Sequence, residues 1–346
     1  MRILIYVGYQ KQKLSPDLFK SIGLGGTEIA CIKLAEGLKM YGHQVFISGD
    51  VVEAEHNGVT WLPTEKLHQQ ESNQFDIIIS ASYIHFILEF KDYTRAKKIF
   101  WAHNTDWHSW YKGTQLENSI ELFDQVDQII CLTNWHANDW HTKFGHKNIS
   151  VIGNGIDKSS FIGNPTKIKN RFIWSSAPER GLTELLQNWD RILQIKPNAT
   201  LEVFCPSYSL ESLDYLQKET KLLEQTGIIV RGNQNQEELH RSMLLAEYWP
   251  YLTSYEETYC ITALEMQYAG CLPITTDVAA LAETVYSGII LEDGETKWDL
   301  AIQILNNLGT ELKDKAVRSC IDWSRQQSWE FRILEWHRKI TEGFTK

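Results

Sequence analysis

Apolar residues fall into short, almost continuous runs, separated by longer segments in which they recur every three or four positions. The short runs predict parallel strands buried on both faces, and the longer segments, such as 27–41 before Gly42, predict helices. Their regular alternation is typical of an α/β fold built on a doubly wound parallel sheet. In the first half of the chain the predicted strands are 3–7, 45–48, 75–80, 99–102, 128–132 and 149–152.

The alternation is interrupted once, after the N-G-I-D turn at 154–157, by a polar stretch that reaches Asn170. Asn-Gly is a strong turn signal, and the chain of 346 residues is longer than the roughly 250 to 300 residues at which single cores stop growing. We therefore predict two doubly wound, Rossmann-like domains, 1–157 and 158–328, and a final helix within about 329–346. The other predicted elements of the second half are strands 171–175, 200–204, 228–231 and 248–253 and helices 183–196 and 210–226.

Composition and charge narrow the classes of partner. The chain has 34 basic and 44 acidic residues, a formal net charge of −10, and neither predicted domain is basic, which argues against nucleic acid as a partner. The six cysteines form no C-x-x-C pair and most lie in apolar runs, so we predict buried free thiols in a reducing compartment. No apolar segment of 18 residues occurs. We therefore expect a cytoplasmic protein without a transmembrane segment, for which peripheral membrane contact stays open.

Candidate chemistry is concentrated in the segment S-Y-E-E-T-Y-C-I-T-A-L-E-M-Q-Y-A-G-C-L-P at 254–273. Its pattern predicts a helix that begins near Cys260 and ends at Gly270. The backbone N–H groups of residues Thr258, Tyr259, Cys260 and Ile261 then form a partly positive patch that suits a diphosphate. Glu257 before the patch and Glu265 inside the helix can accept hydrogen bonds from sugar hydroxyls. The segment therefore predicts a site for a nucleotide sugar.

Seven residues separate Glu257 from Glu265, and the pair is followed by Gly270 and a strand at 273–276. This arrangement resembles the E-x7-E segment of the retaining glycosyltransferases of family 4, which have the GT-B fold of two Rossmann-like domains facing across a cleft. The resemblance implies that Glu257 contacts the donor sugar and Glu265 the ribose. It also implies an acceptor-side first domain, a donor-binding second domain, and a final helix that crosses back onto the first. The family often has glycine where this chain has Thr258 and Cys260.

Two further motifs of the second half resemble donor contacts of the family. S-S-A-P-E-R-G at 175–181 is similar to its R-x4-K-G segment, whose cations neutralise the donor diphosphate. Arg180 takes the lysine position, and Ser175 takes the arginine position, so one cation is missing. The loop R-G-N-Q at 231–234 matches the segment that holds the nucleobase, which implies Gly232 and Gln234 as contacts.

Two motifs of the first half carry the same resemblance. G-G-T-E at 25–28 is similar to the family's G-G-x-E loop and implies that Gly25 and Gly26 contact the diphosphate; a plain helix cap is the alternative. His103 follows a predicted strand and matches a histidine that contacts the donor sugar; a histidine satisfied in the core is the alternative. For the acceptor we predict residues Asp106, Trp107 and Trp110, where core packing explains the tryptophans nearly as well.

The reaction predicted is transfer of a hexose-type sugar, with retention of configuration, from a nucleoside-diphosphate sugar to a hydroxyl of a glycan, lipid or other acceptor. The nucleotide sugar is a substrate, and we expect neither a cofactor nor a metal. His136 and His141 are five positions apart, whereas metal ligands on a helix prefer three or four. Three alternatives stay open: a nucleotide-sugar epimerase of GT-B fold, a dehydrogenase, which the poor glycine fingerprint disfavours, and a non-catalytic protein that binds sugar nucleotides.

Overall fold

The computed structural model describes residues 1–9, 12–21, 23–67, 75–89, 95–105, 120–145, 148–205 and 220–342. The chain divides into two compact units. Unit 1 comprises Met1–Phe19, Leu24–Gly155 and Trp329–Lys346, and unit 2 comprises Lys20–Gly23 and Ile156–Ser328. Each unit is built on its own sheet, with helices between most of the parallel strands, so the predicted α/β fold with two parallel-sheet domains is confirmed.

The strands of unit 1 form a sheet of order β3-β4-β2-β1-β5-β6-β7-β8, and those of unit 2 form a sheet of order β11-β10-β9-β12-β13-β14. All neighbouring pairs are parallel except β3 and β4. The strands are β1 Arg2–Tyr6, β2 Gln44–Gly49, β3 Ala54–His56, β4 Val59–Pro63, β5 Ile77–Ala81, β6 Lys97–Trp101, β7 Gln128–Cys131, β8 Ile149–Val151, β9 Arg171–Ser175, β10 Thr200–Phe204, β11 Ile228–Val230, β12 Tyr248–Tyr251, β13 Leu272–Thr276 and β14 Ile289–Leu291.

The described α-helices are α1 Pro16–Ser21, α2 Gly26–Met40, α3 Thr64–Leu67, α4 His85–Glu89, α5 Asn134–Phe144, α6 Leu182–Gln187, α7 Trp189–Ile195, α8 Thr220–Leu223, α9 Gln236–Leu245, α10 Ile261–Ala269, α11 Leu281–Thr284, α12 Lys297–Asn307, α13 Thr310–Ser324 and α14 Trp329–Thr341. No helix among the described residues is long and apolar enough to cross a membrane.

The structure contains an element that was not predicted and divides one that was. The hairpin β3–β4 was not predicted; its turn residues Asn57 and Gly58 have φ of 50° and 75°, as a tight hairpin turn requires. The single helix predicted at 183–196 is wrong, because it is divided at Asn188, whose side-chain amide donates to the Glu184 carbonyl at 2.9 Å. Most of the helix predicted at 210–226 lies outside the described residues.

The C-terminal helix α14 packs within unit 1. Ile333 lies against Gly37 of α2 so closely that a Cβ at this glycine would collide with it. Trp336, fully buried, packs edge-to-face on Trp101 at the end of β6, with ring centroids 4.9 Å apart. The apolar face of the final helix therefore completes the core beside the first sheet.

Three buried histidines of unit 1 have pKa values that are lowered by the fold. His43, His103 and His136 are each less than 10% exposed and burial lowers their pKa values from 6.5, to about 4, about 3 and about 4 respectively. The N-terminal amine and His337 lower the pKa of His43 further, and His136 that of His103. The folded chain thus keeps all three neutral where the unfolded chain would protonate them.

We therefore expect the free energy of unfolding to fall as pH drops below 6.5 towards 4. A pKa depressed by folding adds stability above the unfolded value of 6.5, and this is lost as pH falls through the folded value. Each histidine contributes a slope of up to about 1.4 kcal/mol per pH unit. Denaturant unfolding between pH 7.5 and 4.5 measures how the free energy of unfolding changes with pH. His43→Gln should give a shallower slope, and His56→Gln, on edge strand β3, should leave it unchanged; identical slopes for wild type and His43→Gln would contradict this account.

Candidate functional site

The residues of the E-x7-E segment lie at the switch point of the second sheet. Strand β9 is flanked by β10 on one side and β12 on the other, so the order of the strands reverses there. Ser175 ends β9, and Tyr251 ends β12. In open α/β sheets, ligands bind outside the carboxyl ends of strands at such a point.

Arg180 and Glu257, which are 77 positions apart, form an ion pair there. Arg180 Nη1 lies 2.8 Å from Glu257 Oε1, and the Glu257 side chain is 7% exposed against 32% for Arg180. The ring of Tyr255 covers the guanidinium, with Arg180 Cζ 4.3 Å from its centroid. Burial alone would lower the pKa of Arg180, but the adjacent Glu257 carboxylate raises it, so this cation is permanent.

Tyr251 holds the same carboxylate. Its hydroxyl donates to Glu257 Oε1 at 2.5 Å and lies 3.3 Å from Ser176 Oγ, while the Trp174 indole donates to the Ser176 carbonyl at 3.0 Å. Burial, and then the charge of Glu257, raises the pKa of Tyr251 well above its ordinary value, so the phenol stays a hydrogen-bond donor. Sequence reasoning missed Tyr251. Its signal was an aromatic residue with a polar tip at the carboxyl end of a buried strand.

We expect Tyr251→Phe to lower kcat by roughly ten- to a hundredfold, because a hydrogen bond to a charged group is worth about 1.5 to 3 kcal/mol. The phenylalanine keeps the packing but leaves Arg180 as the one partner of the Glu257 carboxylate among the described residues. Steady-state nucleotide release from a donor sugar measures the effect. Tyr286→Phe, at an exposed tyrosine stacked on Trp323, is the matched control and should keep wild-type kcat. Equal kcat for both variants would remove Tyr251 from the site.

Glu265 lies one turn inside α10 and contacts a histidine that was not predicted. Its Oε1 is 3.2 Å from His240 Nε2, and both side chains are buried. Phe161 stacks on the His240 ring at 4.2 Å and fixes its plane. The signal for His240 was a polar residue on the buried face of α9, beside Met243 and Leu244.

Cys260 connects the predicted residues. It precedes α10 as its N-cap, close to the predicted start of the helix, and its φ of 58° is a left-handed value that glycine adopts without strain. Burial raises the pKa of its thiol well above the ordinary value, and the charges of Glu257 and Glu265 add to this while Arg180 opposes it. The three charged side chains therefore all act on the partly buried thiol of Cys260.

We expect Cys260→Gly to fold and to keep at least half of wild-type kcat. Glycine adopts this left-handed backbone without strain, and it is the residue that the family often has at this position. Cys260→Val should lose stability by roughly 1 to 3 kcal/mol, because a β-branched residue is strained at positive φ. Thermal unfolding and steady-state kinetics of the two variants provide the comparison. The reverse order of stability would show that the Cys260 side chain, not its backbone, matters here.

Backbone hydrogen bonds hold the loop before α10 in place. Glu257 N donates to the Tyr255 carbonyl at 2.9 Å, and the Glu257 carbonyl accepts from Ala280 N at 3.1 Å. Tyr259 is buried, Thr258 is partly exposed, and Ile261 is the first helical residue. Thr262 Oγ1 lies 3.5 Å from the Ser175 carbonyl, so the start of α10 faces the end of β9. Gly270 ends the helix at φ 79°, which confirms the predicted stop.

The proposed nucleobase residues follow β11. Gly232 has φ of 67° with open space at its Cβ position, and the Gln234 amide donates to the Arg231 carbonyl at 2.8 Å. The Arg231 side chain turns instead to Glu202, a fully buried carboxylate on β10, at 2.5 Å. Contact of Gly232 and Gln234 with a base stays a prediction.

The predicted residues of unit 1 lie at the start of helix α2 and after strand β6. Gly25 caps α2 and Gly26 is its first residue, and the Glu28 carboxylate lies so close to Gly25 that a Cβ there would collide with it. A diphosphate at this helix end would therefore share it with a carboxylate. His103 is buried two residues after β6, with its ring 4.5 Å from that of Trp101.

The acceptor residues predicted, Asp106, Trp107 and Trp110, lie outside the described residues. Within the described ranges there is no group of three or more His, Cys, Asp or Glu side chains that could hold a metal ion. The six cysteines are all free, as predicted, and five of them are buried.

Comparisons with known proteins agree with this architecture. Residues 24–160 match Glycosyltransferase Family 4. The lipopolysaccharide 1,2-N-acetylglucosaminetransferase of Salmonella typhimurium is 22% identical over 253 residues, and the match covers 65% of this chain and 65% of that relative, which is just under two thirds of its length.

Solved structures match over almost the whole chain. Sucrose-phosphate synthase from Thermosynechococcus elongatus has a TM-score of 0.75 at 14% identity, and Anabaena Alr3699/HepE in complex with UDP-glucose has 0.74 at 15%; each match covers 99% of both chains. At this identity the likeness establishes the fold. Residues 24–160 are thus similar to Glycosyltransferase Family 4, and over the whole chain the protein shares the GT-B fold with these solved structures.

Proposed function

We propose that the protein is a retaining glycosyltransferase that moves a hexose-type sugar from a nucleoside-diphosphate sugar to a hydroxyl of a glycan, lipid or other acceptor. The observation that carries this proposal is the state of Arg180. Its guanidinium is paired on one side with Glu257, while its Nε is buried with no hydrogen-bond partner among the described residues. A buried donor of this kind costs about 1 to 3 kcal/mol unless a ligand satisfies it. An oxygen of a donor diphosphate fits that requirement.

The barrier to transfer is separation of charge. Positive charge develops on the sugar while negative charge builds on the departing diphosphate. Arg180 and the backbone amides at the start of α10 would stabilise the leaving group, because both are fixed before the substrate arrives. Ser175 supplies no second cation, so Arg180 carries more of this task than in proteins with the full R-x4-K-G motif.

Glu257 would orient the donor sugar without attacking it. Both hydrogen bonds described for its carboxylate, from Arg180 and Tyr251, end on Oε1. A sugar hydroxyl can therefore donate to Oε2. Glycosidase-like catalysis would need a second carboxylate across the anomeric carbon, and the other glutamate of the motif, Glu265, is engaged by His240.

The direct test is release of nucleotide from a panel of UDP, GDP and ADP sugars, alone and with glycan or lipid acceptors. UDP-glucose is the first donor to try, because it is bound in the Anabaena structure. We expect one donor to release its nucleotide faster with an acceptor, the product to retain its anomeric configuration by NMR, and turnover to continue in chelator.

Other outcomes would assign the protein to a different functional class. An isomerised sugar formed from donor alone would indicate an epimerase, and donor binding without release across the panel would indicate a non-catalytic protein. An absolute need for a divalent ion would contradict charge stabilisation by Arg180 and α10 alone.

A further inference from the structure

The first sheet has a switch point of its own, which the proposed donor chemistry does not use. Strand β1 is flanked by β2 and β5, so the order of the strands reverses beside β1. Tyr9 follows the carboxyl end of β1, and Tyr83 and His85 follow that of β5. These three aromatic rings therefore lie where open α/β sheets bind ligands.

The three rings form an ordered set. The planes of Tyr9 and His85 are parallel within 2°, with centroids 5.9 Å apart. Tyr83 is nearly perpendicular to both, at 82° and 84°, with centroids 5.8 and 6.0 Å away. Tyr9 is 62% exposed although it is a large aromatic side chain. Two parallel faces backed by a perpendicular ring form a platform for a flat, partly apolar ligand.

The backbone fixes this platform. The Tyr83 hydroxyl donates to the Tyr9 carbonyl at 3.3 Å, and Ser80 Oγ donates to the Tyr83 carbonyl at 2.6 Å. The Tyr83 ring fills the space above Gly8, where a Cβ would collide with it. Ser82, just before Tyr83, has a φ of 65°, which is uncommon for a residue other than glycine. The rings are thus held before any ligand binds, which lowers the entropic cost of binding.

Charge around the platform disfavours an anion. Burial raises the pKa of Tyr83 to about 12, and the negative charges of Glu28 and Asp50 add to the effect. Burial lowers the pKa of His85 below 6.5, so its imidazole is neutral at pH 7. A phosphate beside Tyr83 would therefore be repelled by the negative charges of Glu28 and Asp50 and would gain no positive charge from His85. Hydroxyl groups, in contrast, can donate hydrogen bonds to carboxylates.

We infer that Tyr9, Tyr83 and His85 form a subsite for an uncharged pyranose ring of a glycan acceptor, which stacks on the exposed ring of Tyr9. The assignment to the acceptor rests on the proposed transferase function, which places the donor at the switch point of the second sheet. The negative charge around the platform favours a neutral sugar over a sugar phosphate.

Binding without donor tests the subsite separately from turnover. The probes are methyl β-D-glucopyranoside, methyl β-D-galactopyranoside, methyl α-D-mannopyranoside and glucose 6-phosphate. Saturation-transfer NMR on the full chain measures the binding of each probe. We expect at least one neutral glycoside to bind and glucose 6-phosphate to bind more weakly. Tyr9→Ala should raise the Kd of that glycoside roughly tenfold, through loss of the ring contact. Tyr9→Phe, which keeps the ring, should restore binding.

Tyr41→Ala is the matched control, because Tyr41 is also an exposed tyrosine stacked on a histidine of unit 1, at 4.3 Å from His337. It should leave the Kd unchanged, and circular dichroism should show all variants folded. Failure of every neutral glycoside to bind wild type, or equal binding by wild type and Tyr9→Ala, would overturn the subsite. Absence of nucleotide release by wild type, with glycoside binding intact, would instead refute the transferase proposal alone.

Discussion

Arg180→Ala is expected to lower kcat for sugar transfer by about a hundredfold or more, because removal of one fixed group that stabilises a leaving anion costs about 3 kcal/mol of the barrier. The motif commonly has a second cation where this chain has Ser175. No neighbouring side chain in the motif can therefore replace the charge of Arg180. Among the described residues, the variant also leaves the buried Glu257 carboxylate with Tyr251 as its one hydrogen-bond partner, which should lower the free energy of unfolding by roughly 1 to 3 kcal/mol. Steady-state kinetics with the active donor and thermal unfolding measure the two effects.

Two variants control this experiment. Arg180→Lys keeps the charge but loses the planar donor pair, so we expect kcat between those of wild type and Arg180→Ala. Arg191→Ala removes another ion-paired arginine of unit 2, 2.6 Å from Asp299, and should keep wild-type kcat. Wild-type turnover by Arg180→Ala would exclude the proposed role, and loss of the folded circular dichroism spectrum would make Arg180 a structural residue.

Glu257→Gln is expected to reduce kcat at least as strongly. The substitution keeps the shape of the side chain but removes the charge that Arg180 and Tyr251 both contact through Oε1. Arg180 would then lose its fixed position relative to the diphosphate, and the donor sugar would lose a charged acceptor for its hydroxyl. A hundredfold loss, or about 3 kcal/mol, is the scale for such a preorganised contact.

Glu256→Gln is a matched control for this variant, because Glu256 is the adjacent residue and its side chain is exposed. It should turn over like wild type. If both glutamine variants were equally impaired, the local loop and not the carboxylate of Glu257 would be responsible. If neither were impaired, the central residue of the proposed site would be misassigned.

Much of the fold could be predicted from the chain because buried parallel strands leave continuous apolar runs. The strands at 171–175 and 200–204 agree with the observed β9 and β10 at both ends. The start and stop of α10 were also predictable, since Gly270 is a local signal that acts within one turn. The β3–β4 hairpin was not, because β3 has only three residues and lies at the edge of the sheet, where burial is incomplete.

Single residues of the site could be predicted from the sequence, but their arrangement in space could not. Motif spacing singled out Arg180 and Glu257 on separate segments, but their 2.8 Å contact depends on the order of β9 and β12 in the sheet. Tyr251 and His240 belong to no motif, and their importance follows from which carboxylate each one faces. The left-handed backbone of Cys260 was hidden as well, because cysteine rarely adopts it.

The return of α14 to unit 1 has a consequence for biosynthesis. Unit 1 is assembled from both ends of the chain, whereas Ile156–Ser328 of unit 2 is one continuous stretch. During synthesis, Ile156–Ser328 leaves the ribosome before Trp336 does, so unit 2 can finish folding while the Trp101 surface still awaits Trp336. A C-terminal deletion before Trp329 should therefore yield a chain that folds its later half and aggregates through its earlier one.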